Sequence, residues 1–356
     1  MSARWPTRDG LAASARTARG LLAVPPDAAC AYPLHDGDEK ATAAALTAAG
    51  VGGGDRVAVA LAEPAGALWA SAASRVAAAA ASLGPRGRMR LQHALRELGA
   101  TTLVITPTGA MDLLARLHLE FLLDPLDLGL RHIVVTGEIA SRHTLRHLAA
   151  EFDARVTEVY ADPFGGGALA WRTDQSAPLT PIEADTLGLA ALAADEPLPG
   201  PPYPAGVLGE LVVAARGRHG LGDAVLRTGQ VGRPGEGGGL PAPEHTVGEH
   251  LLVRGVWLSL PRIERALARI DGIATWELSV DRRGTLDAAA LTVTFGRPGL
   301  VGNPMWRARV REAVKALTPV SIEVAVAEEV MAESRPGTVT DLRGHHLGRD
   351  RTAIAP

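Results

Sequence analysis

The chain has 356 residues, an apolar fraction of 47% and a net charge of −3, which suits about two globular domains and excludes a strong field for nucleic acid or an anionic membrane. Aromatic residues are only 4%, too few for a base-stacking surface, and Cys30 is the sole cysteine, so neither an internal disulfide nor a cysteine metal cluster is available. The N-terminal stretch lacks the apolar run of a secretory signal, and the Ala-rich residues 76–83 are too few to span a bilayer, so a cytoplasmic protein is expected.

Residues 1–35 carry no clear periodicity, and 24–38 read as a loop from their turn residues. Asp38 is expected to cap an Ala-rich helix that ends at Gly50. A Gly52-Gly53-Gly54-Asp55 turn and an alternating strand over 56–61 follow. Residues 64–83 read as one long helix, with Pro64 suited to its first position. Leu91, Leu95 and Leu98 mark another helix, stopped by Gly99. A strand over 101–105 ends at Thr106-Pro107, and a helix covers 110–119.

The central stretch, 131–167, is the most regular. A short apolar strand over 132–135 is broken by Thr136-Gly137-Glu138. Ser141 caps a helix whose apolar face includes Leu145 and Leu148, and a second strand covers 155–160. Strand, helix and strand in so few residues make a βαβ unit of a parallel sheet. Ligands bind such sheets beyond the carboxyl ends of the strands. Those ends are Thr136-Gly137-Glu138 and Tyr160-Ala161-Asp162-Pro163-Phe164, so Tyr160, Glu138 and Arg227 are expected to face one cleft. Further strands are read at 168–172 and 209–215, with a Pro-rich surface loop at 196–204.

The Gly- and Pro-rich residues 233–248 read as a linker. The domain map is therefore an α/β domain over 1–248 and a small α+β lobe over 249–356. In the lobe, a strand at 251–253, a helix at 261–270, strands at 274–280 and 287–295, a helix at 304–317 and a strand at 320–327 give a ferredoxin-like order.

The two strand-end turns resemble those of the phenylacetate–coenzyme A ligase branch of the adenylate-forming superfamily. That branch ends the first strand in Gly-Gly-Glu and the second in Tyr-Gly-x-Thr/Ser-Glu. Gly209-Glu210-Leu211-Val212-Val213, Arg227-Thr228-Gly229-Gln230, Arg254-Gly255-Val256 and Leu260-Pro261-Arg262-Ile263-Glu264 follow in the family's order. The resemblance covers roughly residues 40–345. It implies an α/β N-terminal domain of adenylate-forming type with a small ferredoxin-like C-terminal lobe. The activity it implies is activation of a carboxylate with ATP, then acyl transfer to coenzyme A.

The residues for the first half of that chemistry depart from the pattern. The phosphate-binding loop falls at residues 25–38, which hold one glycine, no serine or threonine, and aspartates that would repel a triphosphate. Phe164 stands where the magnesium-binding glutamate belongs, with Asp162 nearby but out of register. Gln230 replaces the ribose-binding aspartate, and Thr338 replaces the C-terminal lysine, with Arg335 as its nearest cation. The only lysines, Lys40 and Lys315, lie elsewhere.

The candidate catalytic residues are therefore Tyr160, Glu138 and Arg227, with Thr106, Pro107, Gly137, Ala161, Asp162 and Phe164 as candidate substrate contacts, Arg254 and Gly255 at the hinge, and no metal ligand. Each also has a structural reading. Glu138 can cap a helix, Arg227 can bind carbonyls within the fold, Arg254-Gly255 can shape a turn, and Tyr160 can be a satisfied core aromatic. His143 and His147 have metal-like spacing, but Arg142 and Arg146 beside them favour a solvated basic face. The expected function is ATP-independent transfer, cyclisation or condensation of an activated aryl or acyl thioester of coenzyme A or an acyl carrier protein, with no cofactor required. The alternatives are a non-catalytic scaffold for an acyl carrier or partner ligase, and a working acid–coenzyme A ligase with an unorthodox nucleotide site. No nucleic-acid or membrane partner is expected, and a homodimer is left open.

Overall fold

The computed structural model describes residues 4–11, 16–26, 30–85, 87–172 and 174–354. The chain divides into two compact units, one holding most of the residues up to Glu244 and the other running from His245 to Ile354.

The first unit is built on a parallel-rich sheet. Its strands are β1 (Arg56–Ala60), β2 (Ala79–Ser82), β3 (Thr102–Ile105), β4 (His132–Val135), β5 (Arg155–Ala161), β6 (Ala168–Arg172) and β7 (Thr180–Pro181), in the order β2-β1-β3-β4-β5-β6-β7. From β2 to β5 every pairing is parallel, and β6 and β7 add antiparallel. Every residue of β3 and β4 is buried, as parallel strands covered on both faces require.

The pleat sorts the side chains onto two faces. Ala58, Leu103, Ile105, Ile133 and Val135 pack with helices α3 (Arg88–Leu98), α4 (Pro107–Arg116) and α5 (Arg142–Phe152). Val57, Val59, Val104, Val134 and Val159 pack with α1 (Asp36–Ala48) and α2 (Ala65–Ser74) on the other face. The fold of this unit is therefore the α/β architecture anticipated above.

Two local expectations are corrected. The long helix over 64–83 does not form: α2 ends at Ser74, and Ala79–Ser82 becomes β2, with Val57 opposite Ala80. Alanine favours helix, but β1 would otherwise leave a row of backbone groups unpaired, and the ladder overrides propensity. The cap of α1 is His35 rather than Asp38. Its Nδ1 accepts from Gly37 N at 2.9 Å, while Asp38 Oδ2 accepts from His35 N at 2.9 Å. This is a capping box with imidazole in the role usually taken by a hydroxyl.

A second sheet of the first unit contains β8 (Leu187–Ala190), β9 (Gly209–Ala214) and β10 (Val225–Gly232), paired antiparallel. The glycine-rich residues 233–244 pack on this unit: Tyr203 N donates to Gly238 O and Leu179 N to Leu240 O, each at 2.7 Å.

The second unit is α+β. Its hairpin, β11 (His250–Val253) and β12 (Val256–Ser259), turns at Arg254 and Gly255, whose φ values of 52° and 73° match a tight two-residue hairpin turn. A four-stranded sheet follows, with β13 (Ile273–Arg283), β14 (Leu286–Phe295), β15 (Ile322–Val330) and β16 (Thr338–Asp341) in the order β15-β14-β13-β16. Helices α6 (Leu260–Leu267) and α7 (Pro304–Lys315) pack on it through Ile263, Leu267, Val310 and Val314.

Candidate functional site

The carboxyl ends of β3, β4 and β5 lie along one edge of the parallel sheet, and the candidate residues separate there into two groups. The first gathers at the ends of β3 and β4. Thr106 caps α4, its hydroxyl accepting from Gly109 N at 3.1 Å, and Pro107 fills the first helical position. Glu138 reaches the same helix start: Oε2 accepts from Thr108 N at 3.0 Å and Oε1 from the Thr108 hydroxyl at 2.8 Å. A carboxylate there also complements the positive end of the helix dipole. Gly137 turns the chain at φ 81° and stays exposed, and a Cβ on it would touch the Thr106 methyl.

The second group forms around the β5 turn. Ala161 sits at a register shift between β5 and β6, and Asp162 closes the turn by exchanging backbone bonds with Gly166 and Gly167. Phe164 is buried at 2% exposure, with its ring 5.6 Å from that of Tyr32. Asp162 is also buried, with Oδ1 accepting from Phe164 N at 2.9 Å and Oδ2 only 3.7 Å from the Arg218 guanidinium. Burial pushes the Asp162 carboxyl upward, and Arg218 opposes the shift.

Arg218 is the hub of this group. It grips Asp38 in a fork, with bonds of 2.8 and 2.6 Å, donates to Pro33 O at 2.8 Å and lies 4.4 Å over the Tyr32 ring. Arg8, at 3% exposure, donates to Pro163 O at 2.6 Å and to Cys30 Sγ at 3.6 Å, with its guanidinium 5.0 Å from the Phe164 ring centre.

Tyr160 and Arg227 meet the second sheet. The Tyr160 hydroxyl donates to Gln230 Oε1 at 2.8 Å. Burial, then Asp162, drives its pKa far above the ordinary tyrosine range, so at neutral pH this phenol is a neutral hydrogen-bonding group. Arg227 donates to Asp195, Glu210, Ala191 O and Ala194 O at 2.6–3.1 Å, and its guanidinium lies 5.5 Å over Trp5. Glu138 thus serves α4, Tyr160 bonds to β10, and Arg227 ties β10 to β9 and to residues 191–195; no bond joins these three to one another among the described residues.

Arg254 and Gly255 form the hairpin turn of the second unit, where Arg254 Nε donates to Asp287 O at 2.5 Å. His143 and His147 stack as parallel rings 6.2 Å apart, with His147 facing Glu151. Among the described residues no group of three or more His, Cys, Asp or Glu is placed to hold a metal, and no helix is long and apolar enough to cross a membrane. Sequence reasoning missed Arg8, Tyr32 and Arg218. Asp38 was read as a cap and as one of the aspartates of residues 25–38, but not as the partner of Arg218.

No profile of a known family and no curated protein matches the sequence. Solved structures do match the fold. A 2-hydroxyisobutyryl-CoA ligase in complex with 2-HIB-AMP and CoA superimposes with a TM-score of 0.70 at 18% identity, covering 88% of this chain and 71% of that one. The amide bond synthetase McbA from Marinactinospora thermotolerans gives 0.61 at 16% identity, over 86% of this chain and 65% of its own. An o-succinylbenzoate CoA synthetase from Bacillus subtilis gives 0.60 at 13%, over 84% and 63%. The chain therefore has the fold of adenylate-forming enzymes, a fold shared by acid–CoA ligases and an amide bond synthetase. It spans less than two thirds of the length of the latter two neighbours.

Proposed function

We propose that this protein, of adenylate-forming fold and resembling the phenylacetate–coenzyme A ligase branch, does not adenylate a carboxylate. Instead it engages an aryl or acyl group already activated as a thioester of coenzyme A or a carrier protein, in the cytoplasm and without a nucleotide. The observation that carries this reading is the Asp38–Arg218 fork at the start of α1. A triphosphate placed there would meet a carboxylate and a guanidinium already neutralised by it. Two helix-start groups are also engaged, Gly37 N by His35 and the His35 N by Asp38. Magnesium fits no better: Phe164 is packed into the core, Asp162 Oδ1 accepts from Phe164 N, and its one oxygen without a hydrogen bond, Oδ2, lies 3.7 Å from the Arg218 guanidinium, whose charge opposes a divalent cation.

Gly137, with the half-buried Thr106, Glu138 and Ala161, supplies the accessible part of the strand-end edge, and a thioester would lie there. A second reading, a non-catalytic scaffold for an acyl carrier or partner ligase, is favoured by Tyr160 and Arg227, whose polar atoms are committed inside the fold. The test combines pyrophosphate exchange with thermal shift. No carboxylate should drive exchange between pyrophosphate and ATP, and ATP–magnesium should leave the melting temperature unchanged, whereas an aryl-acyl thioester should raise it. Robust exchange with any aryl acid refutes the proposal, and binding of a thioester without turnover selects the scaffold.

A further inference from the structure

Helix α5 carries its charges against its own dipole. Arg142, His143, Arg146 and His147 lie in its first half, and Glu151 and Asp153 lie at its end. Its first turn has no acidic residue and its last turn no basic one. A helix is stabilised by the reverse order, so these charges do not serve the helix itself.

Arg142, Arg146 and Ala150 follow at i, i+4 and i+8 on one stripe of α5, and all three are exposed. Neither arginine makes a hydrogen bond or an ion pair among the described residues. The exposed Asp174 is held low first by Ser176, and Arg142 acts on it only as a weaker charge.

At its far end the stripe enters a cleft of ≈ 590 Å³ whose lining includes Ala150, Glu151, Asp153, Asp124, Leu126 and His118. No arginine or lysine pairs with its three carboxylates among the described residues. Glu151 has the imidazoles of His118 and His147 at 3.7 and 3.8 Å. The adjoining segment exposes Leu119 at 78%, Leu122 at 83% and Leu126 at 54%. Leu122 has φ 50°, a conformation leucine seldom adopts, and it follows a π-turn over Leu117–Phe121.

We infer that α5 and residues 117–126 form an isologous interface with a second copy of this chain. Charge complementarity selects that partner. An acidic protein would satisfy the arginines and be repelled by the cleft, and a basic one would do the reverse. A second copy satisfies both ends at once. With the two α5 helices antiparallel and a two-fold axis between His147 and Ala149, Arg142 of each copy stands level with Asp153 of the other. Arg146 stands near the level of Glu151, at about 1.5 Å of rise per residue. Ala150, small and central, lets the helices approach, and the exposed leucines supply apolar contact at both ends of the interface. The inference does not rest on the thioester reading.

The test is sedimentation equilibrium on the full chain. The wild type should dimerise, about tenfold or more weakly in 1 M salt than in 0.1 M. Arg142→Glu with Arg146→Glu should weaken self-association at least about 100-fold. This variant places an anion at the helix start, which the dipole favours, so it should fold. Glu151→Arg with Asp153→Asn should weaken self-association as much, asparagine suiting the left-handed φ of 44° at that position. Glu151→Gln alone, a milder change, should cost about tenfold. Mixed together, the two double variants should form a heterodimer, because each end then meets its opposite charge. Damage to the fold cannot produce that rescue. A wild type still monomeric at about 100 µM overturns the inference, as does a dimer that survives both double variants, or folded double variants that stay apart when mixed.

Discussion

Removing Asp38 tests whether the start of α1 is a seal or a disguised phosphate site. In Asp38→Ala the Arg218 guanidinium, only 8% exposed, keeps Pro33 O and a carboxylate oxygen of Asp162 at 3.7 Å. Breaking a buried pair by deleting one partner typically costs about 3–5 kcal/mol. The lost bond to His35 N adds the cost of a weakened cap, about 1 kcal/mol. Asp38→Asn separates the two, because the amide can still accept from His35 N but carries no charge. Arg218→Met in the Asp38→Ala background should recover most of the loss, since no unpaired guanidinium remains. Urea unfolding is the assay, with an unchanged slope required before midpoints are compared. A coupling energy of about 2 kcal/mol or more identifies a structural ion pair. The reasoning fails if Asp38→Ala costs less than about 1 kcal/mol, as a solvated pair would, and the variant gains thermal stabilisation from ATP–magnesium.

Two further outcomes follow from the geometry. Arg155 donates to His132 Nδ1 at 3.2 Å and Nε2 lies 2.9 Å from the Thr157 hydroxyl, so the neutral ring is the one the fold holds, and burial, then Arg155, takes its pKa from 6.5 down to about 4. A folded-state value below the unfolded one gives stability that is complete above pH 6.5 and lost as pH falls towards 4, about 3 kcal/mol in all, and His132→Gln should flatten that part of the pH–stability curve measured by urea unfolding. Glu138→Ala should cost about 1 kcal/mol by uncapping α4, read by urea unfolding, and should also slow thioester turnover if the thioester lies along this edge; a variant that loses stability alone makes Glu138 a helix cap and nothing more.

The parallel sheet was legible because its signals are local. The runs at β3 and β4, the turn at Thr136-Gly137-Glu138 and the Ser141 cap each lie within a few residues. Errors arose where the deciding partner is distant or unusual. Residues 76–83 are a good helix sequence, and only the open edge of β1 makes part of them a strand. His35 was overlooked because imidazole is an uncommon cap. Arg8 binds a carbonyl 155 positions away and Arg218 a carboxylate 180 away, and no periodicity encodes such pairings. The strand-end turns set where a site was expected, while the partners of their side chains depended on contacts beyond any local pattern.

Gln230 joins these levels. In the resembled family an aspartate stands there, and its replacement reads from sequence as the loss of a ribose contact. The structure gives the position a second logic. Gln230 is buried and accepts from Tyr160, while Glu210, fully buried, already binds Arg227 and Gly229 N, and Asp162 lies close enough to raise the pKa of Tyr160. A carboxylate at 230 would add another buried anion to this neighbourhood, where the Arg227 guanidinium is already held by Glu210, Asp195 and two carbonyls. A neutral amide satisfies the phenol without that penalty. At Phe164 an apolar ring fills the space between the Tyr32 ring and the Arg8 guanidinium. Under the reading proposed above, Gln230 and Phe164 alike suit a strand-end turn packed against its own chain.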